Sequence, residues 1–222
     1  MLLSATHLVF QVQPTNGTAG QSFSVTVAVE DSSNSVVSSN DSVIRLTVHG
    51  PGRFAGEGHT VTATAMNGVA TFDNLVLDKA GTFTLQASTR HTQRAISSSF
   101  VISPDTSGSE KLVFVRRDPR RGSVNEPLKT VKVAVEDQFG NIVTTDESSV
   151  TLSVNSGPTK SFDSSVPSPD TVSVQNGVAK FSDVILDTAG TYTLGASDSD
   201  TSVTSAVSDS LRIRGGRHQS RD

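Results

Sequence analysis

The amino-acid sequence predicts an all-β protein made of two tandem copies of one antiparallel sandwich domain, and three observations predict it. Blocks of the first half recur in the same order in the second. Runs of alternating apolar and polar residues stand where a helical period would otherwise appear. Asn-Gly pairs mark turns at matching places in both halves.

The repeat justifies the domain count. Leu8-Val9-Phe10 returns as Leu112-Val113-Phe114, and Val27-Ala28-Val29-Glu30-Asp31 as Val133-Ala134-Val135-Glu136-Asp137. Asn67-Gly68-Val69-Ala70 returns as Asn176-Gly177-Val178-Ala179, and the stretch Leu77 to Leu85 as Leu186 to Leu194. The offset grows from 104 to 106 to 109, so length has been added between strands, where loops absorb it. The 222 residues suit two domains of modest size. The turn-forming and small polar residues from Ser103 to Glu110 cannot fill a core, which sets a first domain at 1–103, a linker at 104–110 and a second domain at 111–214. Residues 215–222 form a basic, Gly-rich tail, and mobility is expected from Arg212 onward.

Seven strand-like runs are expected in the first copy, at about 6–13, 22–31, 42–49, 59–65, 69–76, 81–88 and 95–102. The first carries the Leu-Val-Phe block. In the second, Phe23, Val25, Val27 and Val29 point one way while Ser24, Thr26 and Ala28 point the other. The fourth and fifth flank Asn67-Gly68, which predicts a tight hairpin with positive φ at both central residues. The sixth follows the Asp-x-Ala-Gly block. The second copy repeats the scheme, with Val131, Val133 and Val135 on one face and Asn176-Gly177 at the hairpin.

Composition narrows the function classes. Hydrophobic residues make up 34% and charged residues 18% of the chain, with Ser, Thr, Val and Gly prominent, a mixture of strands and turns. A net charge of −4 gives no global field for nucleic acid or an anionic membrane. With no Cys, the core is held by packing alone. No apolar stretch is long enough to span a membrane, and Met1 to Phe10 lacks the regions of a signal peptide, so an export signal would have been removed or lie elsewhere.

At Asp187-Thr188-Ala189-Gly190-Thr191-Tyr192-Thr193-Leu194 the sequence resembles the corner of immunoglobulin-type domains, where a Tyr early in a strand hydrogen-bonds back to the preceding backbone. Leu194 stands where an antibody domain has its second Cys. The spacing from Asp187 to Tyr192 is one residue longer than in antibody domains, and the first copy has Phe83 in place of the tyrosine. The ordered set of blocks, from Leu-Val-Phe through Val135-Glu136-Asp137-Gln138-Phe139-Gly140-Asn141 to Ala189-Gly190-Thr191-Tyr192, resembles the bacterial immunoglobulin-like repeats of large surface proteins and adhesins. Related repeats occur in phage structural proteins. The resemblance implies two tandem immunoglobulin-like antiparallel β-sandwiches of about seven strands each.

Candidate sites each carry two readings. Asp31 and Asp137 after the second strand, and Asp78 and Asp187 before the corner, would be calcium ligands if they converged, since hard cations take six to eight oxygens. Alternatively Asp31 and Asp137 close Asx turns, and Asp78 and Asp187 fix the corners of Phe83 and Tyr192 by accepting from nearby backbone N–H groups. His7, His49, His59, His91 and His218 stand at no zinc-ligand spacing, so no metal and no cofactor are expected. Arg116, Arg117, Arg120 and Arg121 form the one basic cluster, either a partner-docking patch or a solvated loop turned by Asp118-Pro119. No Gly-x-Ser-x-Gly elbow or Cys nucleophile is present, and paired carboxylates would need a cleft that small sandwiches seldom make, so no enzyme is expected.

The expected role is a non-catalytic structural or interaction module of a cell-surface or particle-surface protein, a spacer in contact with other subunits or neighbouring immunoglobulin-like domains. One alternative is an adhesin or carbohydrate-binding module that takes a glycan or host-surface ligand. With no Trp and one Tyr, the chain has little stacking surface for a sugar ring. The other alternative is a self-assembling phage virion or filament protein. The expected location is extracellular, at the cell surface or on a virion.

Overall fold

Alternating apolar residues force strands to pair in sheets that hide one face, and two such sheets close on each other in each half of the chain. The computed structural model describes residues 4–115, 120–166 and 170–215. It divides into two units, Met1–Asp105 and Thr106–Asp222.

Unit 1 comprises β1 (His7–Val12), β2 (Gly17–Thr18), β3 (Ser22–Glu30), β4 (Val43–His49), β5 (Thr60–Thr64), β6 (Val69–Val76), β7 (Gly81–Ser88), β8 (Ala95–Ile96) and β9 (Phe100–Ser103). One sheet has the order β1-β3-β6; the other runs β2-β9-β7-β4-β5, with β8 also on β7. Val25, Val27 and Val29 of β3, Ile44 and Leu46 of β4, and Phe83 and Leu85 of β7 are fully or nearly fully buried. Phe83 stacks on Phe100 with ring centroids 5.9 Å apart. Ala28, on the outer side of β3, is also buried, because its methyl lies between Val9 and Val69, its direct cross-strand neighbours.

Unit 2 repeats the plan with β10 (Lys111–Phe114), β11 (Arg121–Ser123), β12 (Val131–Glu136), β13 (Ser149–Ser156), β14 (Asp170–Ser173), β15 (Val178–Phe181), β16 (Gly190–Asp198), β17 (Ala206–Val207) and β18 (Leu211–Arg214). Its sheets are β10-β12-β15 and β11-β18-β16-β13-β14, with β17 on β16. Val133, Leu152, Phe181, Leu186 and Tyr192 form part of its buried core cluster. The chain is therefore two immunoglobulin-like sandwiches without a helix among the described residues.

The structure departs from the sequence expectation in four places. The short strands β2 and β11 are additional, and both pair in parallel with the last strand of their unit. The final run is split by a serine: Ser97 Oγ accepts from Leu85 N at 2.9 Å and donates to Ser98 O, and Ser208 does the same with Leu194 N and Asp209 O. A hydroxyl there replaces one ladder carbonyl, so the strand must bend away. Leu211 to Arg214, expected mobile in part, form β18 instead, because Leu211 and Ile213 are buried and anchor the strand.

The fourth departure concerns the Asn-Gly turns. Their geometry is as expected, with φ of 51° and 78° at Asn67 and Gly68, and 51° and 74° at Asn176 and Gly177. They do not close an ordinary hairpin, however. Past the single bridge Met66↔Val69, β5 joins β4 in one sheet while β6 joins β3 in the other. Ala65 N is drawn to Ser42 O at 3.0 Å, which pulls the incoming strand away from its sequence neighbour.

Candidate functional site

The acidic loop residues act within the chain. Asp31 Oδ1 accepts from Ser33 N at 2.8 Å and Ser35 N at 3.1 Å. Asp137 Oδ1 accepts from Phe139 N and Asn141 N, and its Oδ2 from Asn141 Nδ2 at 2.9 Å. Both carboxylates are buried, which requires such partners. Asp187 accepts from the Thr188 hydroxyl at 2.9 Å rather than from a backbone N–H, a correction to the expected corner bond. Asp78 occupies the matching place in unit 1. Among the described residues no three His, Asp or Glu side chains gather in a metal-holding group, so Asp31, Asp78, Asp137 and Asp187 do not share one donor set.

The corner of unit 2 is built around Tyr192, which is fully buried. Its hydroxyl donates to Thr188 O at 2.9 Å and lies 3.2 Å from Thr159 Oγ1. In unit 1 Phe83 fills the same place without a hydroxyl. Each ring rests on a glycine that sequence reasoning missed: a β-carbon on Gly50 would strike the Phe83 ring, and one on Gly157 the Tyr192 ring. The signal was present, since Gly50-Pro51 and Gly157-Pro158 recur at an offset of 107, in step with the other blocks.

Of the arginine cluster, Arg116 and Arg117 lie outside the described residues. Arg120 pairs with Asp209 at 3.2 Å, but both side chains are about four-fifths exposed, 79% and 81%, so the pair contributes little. Arg121 sits directly beside Arg212 in the β11–β18 ladder, with Arg214 opposite Ser123, and all three arginines are exposed. The strand β18 thus supplies two cations to this sheet edge. A groove of about 550 Å³ lies between β10 and β17–β18, lined by Leu112, Phe114, Val131, Ala206 and Leu211 with Arg120 at its margin.

At one end of unit 2, burial, and after it the charges of Asp146, Asp200, Asp198 and Asp137, push the Glu110 carboxyl above its ordinary value. Asp170 is raised by burial and then by the charge of Asp183. Asp200 is lowered by the backbone and side-chain bonds of Ser202, and Asp163 by those of Ser165. Every phenylalanine and the single tyrosine lie among the described residues, and each is buried or partly buried.

No protein-family model matches the chain. No curated protein matches it either. Among solved structures, the chain is similar to the bacterial integrin-binding protein invasin at 15% identity and a TM-score of 0.41, over 94% of this chain and 39% of that one. It is similar to extracellular domains 3–5 of Drosophila OTK at 14% identity and a TM-score of 0.45, over 96% and 68% of the two chains. A glycoside hydrolase family 2 β-glucuronidase aligns at 14% identity and a TM-score of 0.38, over 21% of its own length. The chain therefore spans well under half of the invasin structure. No helix among the described residues is long and apolar enough to cross a membrane.

Proposed function

We propose that this chain is a non-catalytic, load-bearing spacer and protein-contact module of an extracellular protein of the bacterial immunoglobulin-like tandem type. One observation carries the reading: in each unit a short strand near the start of the unit, β2 or β11, runs parallel to the last strand. β2 pairs with β9 through Gly17↔Ile102 and Thr18↔Ser103, and β11 with β18 through three residues from Arg121↔Arg212 to Ser123↔Arg214. The bridges His7↔Gln93 and Lys111↔Thr204 extend the parallel arrangement to β1 and β10. A chain that enters and leaves on parallel strands enters at one pole of the sandwich and leaves at the other. Tension on the two ends then loads the terminal hydrogen bonds together, in shear.

The bond at the end of this clamp is the same in both units. Ala19 N donates to Ser103 O at 2.9 Å and Val124 N to Arg214 O at 3.0 Å. The exposed arginines 120, 121, 212 and 214 suit an acidic protein partner. The lack of an exposed aromatic ring favours this over a sugar-binding module.

Pulling the chain by its ends in a force spectrometer tests the reading. Two unfolding events are expected, and Val124→Pro, which removes the clamp donor, should lower the force of one and leave the other unchanged. An unchanged pair of forces in that variant would sink the load-bearing role.

A further inference from the structure

The outer edge of the large sheet in unit 1 is unprotected. Strand β5 pairs with β4 alone, and its sequence, Thr60-Val61-Thr62-Ala63-Thr64, carries no charge, proline or bulge. Such edges invite further pairing, and natural sheets normally blunt them. The bonds Val48 N to His59 O and Ala65 N to Ser42 O fix the alternation of the β4–β5 ladder. Residues 59, 61, 63 and 65 bond toward β4, so the N–H and C=O groups of Thr60, Thr62 and Thr64 point outward.

The equivalent edge of unit 2 shows the contrast. There the place of Val61 is taken by Asp170, and that of Asn74 by Asp183. Asp170 stands opposite the buried Leu152 and so turns its carboxylate inward, the device that keeps an edge strand from accepting a partner. Burial and the charge of Asp183 hold that carboxyl above its ordinary value. In unit 1 the inward-facing Val61 and Ala63 line an open groove of about 480 Å³ with Phe72 and Leu75.

We infer that the β5 edge pairs with the β5 edge of a second copy of this chain, antiparallel and centred on Thr62. The sequence commits to this occupant because its alternation of threonine with apolar residues reads the same way in both directions. In that register Thr62 faces Thr62 of the second copy, Thr60 faces Thr64, and Val61 faces Ala63. All three outward-pointing residues of each strand then meet their counterparts as doubly bonded pairs, giving six backbone hydrogen bonds from the alternation of the ladder. Thr–Thr pairs directly opposite each other are favourable, and no like charges are brought face to face.

Sedimentation equilibrium of the full chain, over about 10 μM to about 1 mM, the range for a small interface, tests the pairing. The wild type should approach twice the mass of one chain. Thr62→Lys and Thr62→Glu, on an exposed position, should each stay at the mass of one chain while melting as the wild type does. An equimolar mixture of the two should associate again, since opposite charges then face each other at the centre. A wild type that stays monomeric throughout, or a Thr62→Lys chain that associates as the wild type does, overturns the proposal. A mixture that stays monomeric overturns the register centred on Thr62.

Discussion

Tyr192 and Phe83 fill equivalent corners of the two units, one ring with a hydroxyl and one without. Removing the hydroxyl in Tyr192→Phe loses the bond to Thr188 O and should cost unit 2 about 1 kcal/mol, measured by chemical denaturation. Glu110 gives a prediction whose sign follows from its raised pKa. In the unfolded chain it ionises at its ordinary value; in the folded chain it resists ionisation, so its burden appears as pH rises through that value and is complete above the folded one. Glu110→Gln should therefore raise the melting temperature of unit 2 at pH 7 and leave it unchanged well below the ordinary carboxylate range, where both states are protonated. The corner ring was legible in the sequence because a fixed spacing from the Asp-x-Ala-Gly block marks it. The bond from Thr188 to Asp187 was not, because a hydroxyl one residue away competes locally with the backbone donors that spacing suggests.

The strands were readable wherever a side-chain period of two runs long enough to declare a buried face, as in β3, β7 and β16. Alternation states which side of a strand is buried, but not which strand lies beside it. That is why the Asn-Gly turns were recognised as turns while their flanking strands were assigned to one sheet. The turns remain strict in their demands. A β-carbon on Gly68 would lie 2.5 Å from Val37 O, and one on Gly177 2.6 Å from Val143 O, at positions whose φ is already positive. Gly68→Ala and Gly177→Ala should each destabilise their unit by at least about 2 kcal/mol in urea titrations, more than an ordinary surface substitution. Strands of two or three residues such as β2 and β11 left no trace, since so short a run has no period to read.

At the scale of the whole chain, the repeat made the two-sandwich architecture plain, while the polarity of the terminal strands emerged only from the ladders. The parallel pairing of β2 with β9 and of β11 with β18 converts end-to-end tension into shear, in which several bonds must break together. Unzipping breaks them one at a time, and forced unfolding follows the barrier crossed, not the total stability. The absence of Cys makes the comparison direct, because thiol handles can be placed at will. The most direct measurement pulls the chain by its two ends and, separately, through cysteines at Ser156 and Thr193, which face each other at one end of the β13–β16 pair. A higher unfolding force for both end-to-end events than for the unzipping of unit 2 is the predicted result. Equal or lower force along the chain axis would contradict the load-bearing account.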